Sequence, residues 1–189
     1  MPGYTMTIDG QSVKGSKSTG VVNPATGKVF AEVPDCTKAE LDQAMSAAQK
    51  AFPAWSRDIN ARRKVLNECA AALQQPPEGL ARTLTQEQGK PLDKAGQEIM
   101  GTSMWCAYTA MLDLPSEVLQ DTPQGKIEIK RKPLGVVAAI TPWNYPLMLG
   151  MWKIAPALLA GNTVVLKPSP FTPITTLMLG EILDRKSVV

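Results

Sequence analysis

Apolar and polar residues alternate in two stretches before Pro34, and a period of two predicts β-strands. The stretch "TMTIDGQSV" has Asp9-Gly10 between two alternating runs, and this pair of residues favours a type I′ hairpin turn. The stretch "VVNPATGKVFAEV" predicts a second hairpin, with its turn over 23–27. We therefore expect the N-terminal part of the chain to fold as two β-hairpins.

From Thr37 the apolar residues recur with the period of an α-helix, and the pattern predicts four helices in succession. The first begins at a capping box formed by Thr37 and Glu40, and it is expected to end at Pro53. The third is expected to end at Gly89, because glycine tolerates the left-handed conformation that follows many helices. The second, third and fourth helices are predicted up to Pro76, over 78–87 and over 94–112.

The chain contains three cysteines and no histidine. These counts exclude Ser-His-Asp, Cys-His and His-ligated zinc chemistry from the chain, and no metal site is expected. Cys69 shares a predicted helix face with Leu66 and Leu73, so we interpret it as a small buried apolar residue. We interpret Cys106 in the same way and assign no role to Cys36, which lies in a turn.

Two unbroken apolar runs, "GVVAAI" over 135–140 and "TVVLK" over 163–167, are typical of strands that are covered on both faces of a parallel sheet. The stretch "LMLGMWKIAPALLAG" between them predicts a helix. After the second run, Thr172 is expected to cap a further helix with Pro173 at its first position. The order strand, helix, strand, helix indicates a βαβ unit and an α/β fold.

The βαβ unit predicts where two isolated polar residues lie. Asn144 follows the end of the first apolar strand, and Lys167 closes the second. In a right-handed βαβ unit the carboxyl ends of both strands lie at one edge of the sheet, and ligands of open α/β sheets bind at that edge. We therefore expect Asn144 and Lys167 to lie near each other in space, at a candidate ligand site.

Composition adds limits to this picture. With 44% hydrophobic and 20% charged residues in 189, the chain is an ordinary globular protein that can bury a core. The stretch "KIEIK" predicts a half-exposed strand, and we interpret the basic run over 130–132 beside it as a solvated edge rather than a nucleic-acid surface. No signal peptide and no apolar run long enough to span a membrane is visible, so we expect a cytoplasmic protein without membrane contact.

Several stretches together resemble the aldehyde dehydrogenase superfamily. They are "VVNPATGKVFAEVP", "AFPAWS", "LTQEQGKPL" and "KRKPLGVVAAITPWNYP", followed by "LMLGMWKIAPALLAGNTVVLKPSP". The resemblance implies a Rossmann-like parallel sheet with flanking helices, and NAD(P)-dependent oxidation of a small-molecule aldehyde to a carboxylic acid. It implies that residues 1–189 are the N-terminal part of the dinucleotide-binding domain, with an oligomerisation hairpin over about 117–134. The complete protein is expected to be a homo-oligomer.

The resemblance gives Asn144 a role, as the side-chain amide donor to the oxyanion of a cysteine thiohemiacetal. Without the resemblance, the favoured interpretation of Asn144 is an asparagine that holds the turn between Pro142 and Pro146. The resemblance also assigns Lys153, loosely, to the active site, in positioning water or relaying a proton. It assigns Tyr145, Leu149 and Trp152 to the substrate tunnel, although core packing explains Leu149 equally well.

Lys167 resembles the lysine that binds the adenosine ribose, and the alternative is a strand-end lysine that reaches water. Many NAD-preferring members have a glutamate where this chain has Pro170. Because a proline does not repel a 2′-phosphate, NAD is the expected cofactor on family frequency and NADP stays open. The cofactor-binding set that the resemblance implies is Ile140, Thr141, Pro142, Trp143, Lys167, Ser169 and Pro170.

Family members are more than twice as long as this chain, and their catalytic cysteine and glutamate come later in the sequence. None of the three cysteines matches the nucleophile, and the tail "LDRKSVV" does not continue the family pattern. We therefore expect the catalytic domain to be absent from this chain, as in a partial gene or a frameshifted product. The alternative hypothesis is a catalytically inactive chain that acts as a binding or interaction module.

Overall fold

A computed structural model describes residues 3–184, which form eight strands and six helices. Two antiparallel hairpins come first: β1 (Met6–Ile8) with β2 (Gln11–Val13), and β3 (Ser18–Asn23) with β4 (Lys28–Pro34). Four helices follow: α1 (Lys38–Trp55), α2 (Ile59–Gln74), α3 (Leu80–Gln88) and α4 (Leu92–Met111). A third hairpin, β5 (Glu117–Thr122) with β6 (Gly125–Ile129), precedes β7 (Val136–Ile140), α5 (Pro146–Leu159), β8 (Thr163–Lys167) and α6 (Ile174–Asp184).

The two N-terminal hairpins confirm the alternating pattern of the sequence. Asp9 and Gly10 both have positive φ, at 51° and 69°, as a type I′ turn requires. In the second hairpin the side chain of Asn23 accepts a hydrogen bond from the backbone N of Ala25 at 2.9 Å, and its carbonyl accepts one from Gly27 at 2.8 Å. Asn23 therefore organises the predicted turn with both its side chain and its backbone.

The capping box of α1 is confirmed, with Thr37 and Glu40 bonding each other's backbone N–H groups. The predicted end at Pro53 is wrong, because α1 continues to Trp55. Proline removes one helical N–H, but the turn that follows is held from outside the helix: the indole Nε1 of Trp55 donates to the carbonyl of Leu158 at 3.2 Å. This contact with α5 is the physical reason that the helix runs past its proline.

The main core lies between α2, α4 and α5. Cys69 and Cys106 are both fully buried in it, which confirms their interpretation as small apolar residues. The thiol of Cys106 donates to the carbonyl of Leu66 at 3.1 Å, and a bond to Cys69 together with burial raises the pKa of this thiol far above the usual range. The largest fully buried side chains of this core are Leu66, Leu73, Leu80, Leu84, Leu147, Met151 and Leu179.

The predicted βαβ unit is confirmed, since β7 and β8 pair in parallel and α5 connects them. The expectation that both strands are covered on both faces is wrong. Val164 and Leu166 pack against the main core, whereas Ala138 and Ile140 are exposed. An apolar run predicts burial on two faces only where the fold supplies two covering layers. Within residues 3–184, α1 covers the second face only at its beginning, where the Thr163 hydroxyl donates to the carbonyl of Ala48 at 2.9 Å, and the carboxyl end of this face is left open.

The start of α6 also differs from expectation. The helix begins at Ile174, one residue later than predicted, and the first backbone bond of its ladder runs from Leu177 to the carbonyl of Pro173. The hydroxyl of Thr172 is buried and makes no hydrogen bond within the described part of the chain, so Thr172 is not the cap. The helix is capped from elsewhere in the fold, as described below. The tail that departs from the family pattern falls largely on residues 185–189, outside the described residues.

The third hairpin is more exposed than the half-buried strand predicted for "KIEIK". Ile127 and Ile129 are exposed by 53% and 43%, and every residue of β5 is exposed. Within residues 3–184 the hairpin pairs only with itself, and Glu128 is the single residue of its two strands that is partly buried. A strand that alternates in sequence is therefore open on both sides here.

Candidate functional site

The candidate site is the carboxyl edge of the β7–β8 pair. Ile140 and Lys167 are register partners at the last positions of the two strands. One residue further, the backbone N and the hydroxyl of Thr141 both donate to the carbonyl of Lys167, at 3.1 Å and 3.4 Å. Two loops, 141–145 and 168–173, therefore leave the sheet side by side, as the βαβ order predicted.

The predicted site residues divide by exposure. Thr141 and Ser169 are buried, at 4% and 5%, and stabilise the loops from within; the hydroxyl of Ser169 accepts a bond from the backbone N of Phe171 at 3.2 Å. Pro142 and Leu149 are partly buried. The residues that face solvent, and are free to meet a ligand, are Ile140, Trp143, Asn144, Tyr145, Trp152, Lys153, Lys167 and Pro170.

A buried carboxylate on α4 caps the helix that follows Asn144. Glu98 is 2% exposed, and its Oε1 accepts bonds from the backbone N of Leu147 at 3.0 Å and of Met148 at 3.3 Å. Pro146, the first residue of α5, has no N–H, and no side chain caps the helix locally. Glu98 therefore satisfies the helix donors that remain and places a negative charge at the positive end of the helix dipole.

Lys90 joins this carboxylate to the Asn144 loop. Its ammonium forms an ion pair with Glu98 Oε2 and donates to the backbone carbonyl of Asn144 at 3.0 Å. The same nitrogen lies 4.0 Å from the ring centroid of Tyr145, which is the geometry of a cation–π contact. Lys90 and Glu98 thus hold the backbone at the Asn144 carbonyl and at residues 147–148 directly after it, while the Asn144 side chain is exposed.

A second buried carboxylate caps α6 at the neighbouring loop. Glu87 is 3% exposed and accepts bonds from the backbone N of Ile174 at 2.7 Å and of Thr175 at 3.0 Å, and from the Thr175 hydroxyl. Burial raises the pKa of Glu87 to about 7, against the opposing effect of these hydrogen bonds, and the charge of Glu98 adds to the rise. Helices α3 and α4 therefore each supply one cap to a helix that follows a loop of the edge: Glu87 caps α6, and Glu98 caps α5.

The sequence interpretation missed Lys90, Glu87 and Glu98, although a signal was present for the two glutamates. Glu87 comes three residues after Leu84, and Glu98 comes three residues after Ala95, so each lies on the apolar face of its helix. A charged residue at a buried helical position is rare unless it is paired. That signal marks both glutamates as buried and partnered, but it does not name the partners.

Aromatic side chains adjoin the edge on the side of α4. The rings of Trp105 and Trp152 lie with centroids 5.3 Å apart, and those of Trp105 and Tyr108 lie 5.7 Å apart. Trp152 was predicted as a tunnel residue, whereas Trp105 and Tyr108 were not singled out from the sequence. Their spacing of three residues on α4, with Met104 and Tyr108 exposed beside them, is the pattern that marks an aromatic surface.

The described residues lack the groupings that two other kinds of site require. Residues 3–184 contain no group of three or more Cys, Asp or Glu side chains arranged to hold a metal ion. None of the helices within this range has the length and apolar character that crossing a membrane requires.

Together the fold and the edge define an α/β protein with a candidate ligand site at the carboxyl ends of two parallel strands. A sequence model of the aldehyde dehydrogenase family matches residues 12–188. The chain belongs to the aldehyde dehydrogenase family, which confirms the resemblance and the fold class expected from the sequence.

The similar proteins are all much longer than this chain. It is 39% identical over 186 residues to human 2-aminomuconic semialdehyde dehydrogenase, covering 96% of this chain and 38% of that protein. An NADP-dependent enzyme from Escherichia coli superposes with a TM-score of 0.93 at 32% identity, over 98% of this chain and 40% of that one. A betaine aldehyde dehydrogenase variant from Staphylococcus aureus, solved with NAD+, superposes with a TM-score of 0.90 at 33% identity. The match covers 97% of this chain and 39% of that one. The chain thus spans about two fifths of the proteins that it matches.

Proposed function

We propose that this chain supplies the oxyanion donor and the adenosine-ribose site of an NAD(P)-dependent aldehyde dehydrogenase. The complete enzyme oxidises a small-molecule aldehyde to a carboxylic acid. The observation that carries the proposal is the β7–β8 edge, where the loop of Asn144 and the end of the strand at Lys167 leave the sheet side by side. Membership of the family supports the reaction class.

Asn144 is proposed to donate its side-chain amide N–H to the oxyanion of a thiohemiacetal. An amide is a neutral donor that does not titrate, and one such donor is worth about 3 kcal/mol of transition-state stabilisation. The exposed side chain on a backbone held by Lys90 and Glu98 supports this role. We assign the thiol and the general base to a part of the complete enzyme outside this chain. Cys69 and Cys106 are buried in the core, and Cys36, although exposed, lies in the turn before α1 and matches no family nucleophile.

The cofactor is proposed to be NAD, with NADP open. Lys167 is exposed at the strand end and reaches the adenosine ribose, while Ile140 and Trp143 offer apolar surface beside it. The N-termini of α5 and α6 are already capped by Glu98 and Glu87, so they are not free to bind a pyrophosphate. Lys167, Ile140 and Trp143 therefore fit a ribose and a flat ring. When bound, the nicotinamide accepts a hydride from the substrate.

The rest of the proposed site concerns cofactor contacts and the substrate. Thr141, Pro142, Ser169 and Pro170 line the cofactor side, and Pro170 carries no charge that repels a 2′-phosphate. On the substrate side, Tyr145, Leu149 and Trp152 form part of the aldehyde tunnel, and Lys153 positions water or relays a proton. The packing of Trp152 against Trp105 supports an aromatic wall on this side.

At the level of domains, residues 1–189 are proposed as the N-terminal part of the dinucleotide-binding domain. The segment over about 117–134 is proposed as an oligomerisation hairpin of a homo-oligomer. The open faces of β5 and β6, with Leu119 and Ile127 exposed by 57% and 53%, support a surface that another chain covers. No role in binding nucleic acid or a membrane is proposed.

The second candidate function is an inactive binding or interaction module. The observation that favours it is that Cys69 and Cys106 are fully buried in the core, where a bond to Cys69 together with burial raises the pKa of the Cys106 thiol far above its usual range. Such a chain retains the ribose site but carries out no oxidation on its own.

Calorimetric titration of the chain with NAD+ and NADP+ tests the ribose site. Lys167→Ala is expected to weaken binding at least tenfold, and Lys28→Ala, an exposed lysine at the β3–β4 turn, serves as the matched control. Equal affinity of the two variants contradicts the assignment of Lys167. Aldehyde-dependent NADH formation by the chain alone is expected to be absent, and its detection contradicts the assignment of the thiol to another part of the enzyme.

A further inference from the structure

We propose that Lys90, held by Glu98, is a positioning residue that aims the Asn144 side chain and the Tyr145 ring together. The inference rests on the proposed function for the role of Asn144, but the arrangement itself is independent of it. We call the group of Lys90, Glu98 and the backbone of 144–148 the clamp.

The clamp holds the loop from two directions. Lys90 binds the carbonyl of Asn144, and Glu98 binds the N–H groups of Leu147 and Met148. The two side chains are joined to each other by the ion pair. The peptide of Asn144 and the first turn of α5 are therefore fixed relative to one another, while the Asn144 side chain itself stays exposed.

The Lys90 ammonium contacts three partners that lie in different directions from it. Its three partners are the Glu98 carboxylate, the Asn144 carbonyl and the face of the Tyr145 ring. An ammonium group has three N–H donors, so these partners use its full capacity. Movement of the loop that keeps one of the contacts breaks another, and the loop therefore has one favoured arrangement.

Burial supports a positioning role over a stabilising one. The side chains of Lys90 and Glu98 are 9% and 0% exposed. A buried ion pair adds little stability over well-packed apolar residues of similar size, because taking both charges out of water offsets their attraction. The best-attested use of such a pair is to specify one arrangement, and the arrangement specified here is that of the Asn144 loop.

The effect on chemistry is geometric. The charge of Lys90 is neutralised by Glu98, so little of it acts on a developing oxyanion. What the pair supplies is a fixed direction for the Asn144 amide, and a displacement of about 1 Å in such a donor lowers the rate on the order of a hundredfold. Because Tyr145 is held by the same ammonium, the donor and the proposed tunnel wall move together.

The test uses the double variant Lys90→Met/Glu98→Gln in the 189-residue chain. The glutamine keeps an acceptor for the N–H groups of α5, and the methionine leaves no buried charge without a partner. Lys94→Met is the matched control, because Lys94 lies on the same helix as Glu98 but is exposed and bonds Gln97. Backbone 15N relaxation at residues 143–145 is the readout.

The double variant is expected to lower the order parameters at 143–145 from about 0.85, typical of a rigid backbone, to below about 0.6. The control is expected to leave them unchanged. Unchanged order parameters in a folded double variant overturn the proposal. If the double variant does not fold, Lys90→Met alone removes the ammonium while Glu98 keeps its bonds to the N–H groups of Leu147 and Met148, and it is expected to lower the same order parameters. A rigid loop in that variant overturns the proposal equally.

Turnover by a complete enzyme that contains the chain provides a second readout. The double variant is expected to lower kcat on the order of a hundredfold with little change in the KM for the cofactor. The single variant Lys90→Arg, which keeps a cation beside Glu98, is expected to retain most of the kcat of the parent enzyme. An unchanged kcat overturns the positioning role. Absence of aldehyde oxidation by the parent enzyme overturns the proposed function, while the relaxation experiment still decides the clamp.

Discussion

Charged residues inside the core determine the local structure of the edge. Glu87 and Glu98 come from consecutive helices and cap the two helices that follow the parallel strands. Each replaces a cap that the local sequence does not provide: Tyr145 makes no side-chain cap for α5, and the Thr172 hydroxyl makes no bond at α6. Single side chains from elsewhere in the fold thus position both loops.

Glu87 is expected to make the stability of the chain depend on pH. Its pKa rises from 4.5 to about 7 on folding. Below pH 4.5 the carboxyl is protonated in both states. Between pH 4.5 and 7 the unfolded state gives up the proton and the folded state keeps it, so stability falls as pH rises, by up to ~3 kcal/mol, and is constant above pH 7.

Urea denaturation between pH 4 and pH 8 measures this dependence. Glu87→Gln is expected to flatten the profile, because its amide does not titrate and its oxygen still accepts from the N-terminus of α6. Glu78→Gln, an exposed position just before α3, is the control and is expected to run parallel to the parent chain. Parallel profiles for all three chains contradict the prediction.

Asn144 is the residue whose removal is expected to affect chemistry most directly. In a complete enzyme, Asn144→Ala is expected to lower kcat about 10²- to 10³-fold, since one oxyanion donor is lost, with little change in folding because the side chain is exposed. Steady-state kinetics with the aldehyde at saturation measure the effect. A kcat within a few-fold of the parent enzyme indicates that Asn144 only holds the turn between its two prolines.

At the scale of elements, α5 is held at both ends by buried charges of the sign that its dipole favours. Glu98 lies at its N-terminus, and Arg62 lies at its C-terminus, where Nε donates to the carbonyl of Leu159 at 2.9 Å. The same guanidinium donates from Nη1 to the carbonyl of Trp55 at 3.0 Å and so ties the end of α1 to the end of α5. The helix that crosses between the parallel strands is anchored to α1, α2 and α4.

Arg62→Met is expected to lower the free energy of unfolding by about 2–4 kcal/mol, because it leaves two buried helix carbonyls without their donor. Arg62→Lys is expected to recover part of the loss, since an ammonium lacks the fork that reaches both carbonyls. Thermal or urea unfolding measures the change, with the exposed Arg57→Met as the matched control. Equal stability of Arg62→Met and Arg57→Met contradicts the prediction.

At the scale of the whole molecule, apolar surface is left open in several places. Ile127 and Ile129 face solvent on β6, and Ile140 is 64% exposed at the end of β7. Strands with open edges and apolar faces pair readily with other chains. The proposed oligomerisation hairpin and the exposed carboxyl end of the β7–β8 pair are surfaces of this kind.

The chain on its own is expected to self-associate, and sedimentation velocity at several concentrations measures this. Replacing both Ile127 and Ile129 by Lys puts charge on one face of β6, since alternate residues share a face, and is expected to shift the distribution towards monomer. Replacing Gln120 and Gln124 of the same hairpin by Lys adds the same charge at exposed polar positions and is the control. A monomeric parent chain that unfolds cooperatively contradicts the prediction.

Much of the fold was predictable because it depends on local patterns. The type I′ turn at Asp9-Gly10, the capping box of α1, the helix end at Gly89 and the parallel pair with Lys167 at its edge were all expected from short stretches of sequence. The errors occurred where a distant contact overrode the local signal. The contact of Trp55 with α5 carries α1 past Pro53, and Glu87 caps α6 in place of Thr172.

The sequence by itself determined the order of the elements, the β7–α5–β8 unit and the edge at which Asn144 and Lys167 lie, because periodicity and turn chemistry act between near neighbours. Only the tertiary structure decided which buried charges meet. Lys90 reaches the carbonyl of Asn144, 54 residues away, and Glu87 reaches α6 across 88 residues. A carboxylate in an apolar helix face must find a partner when water is removed, but which partner lies beside it depends on the packing of α3, α4, α5 and α6 against one another.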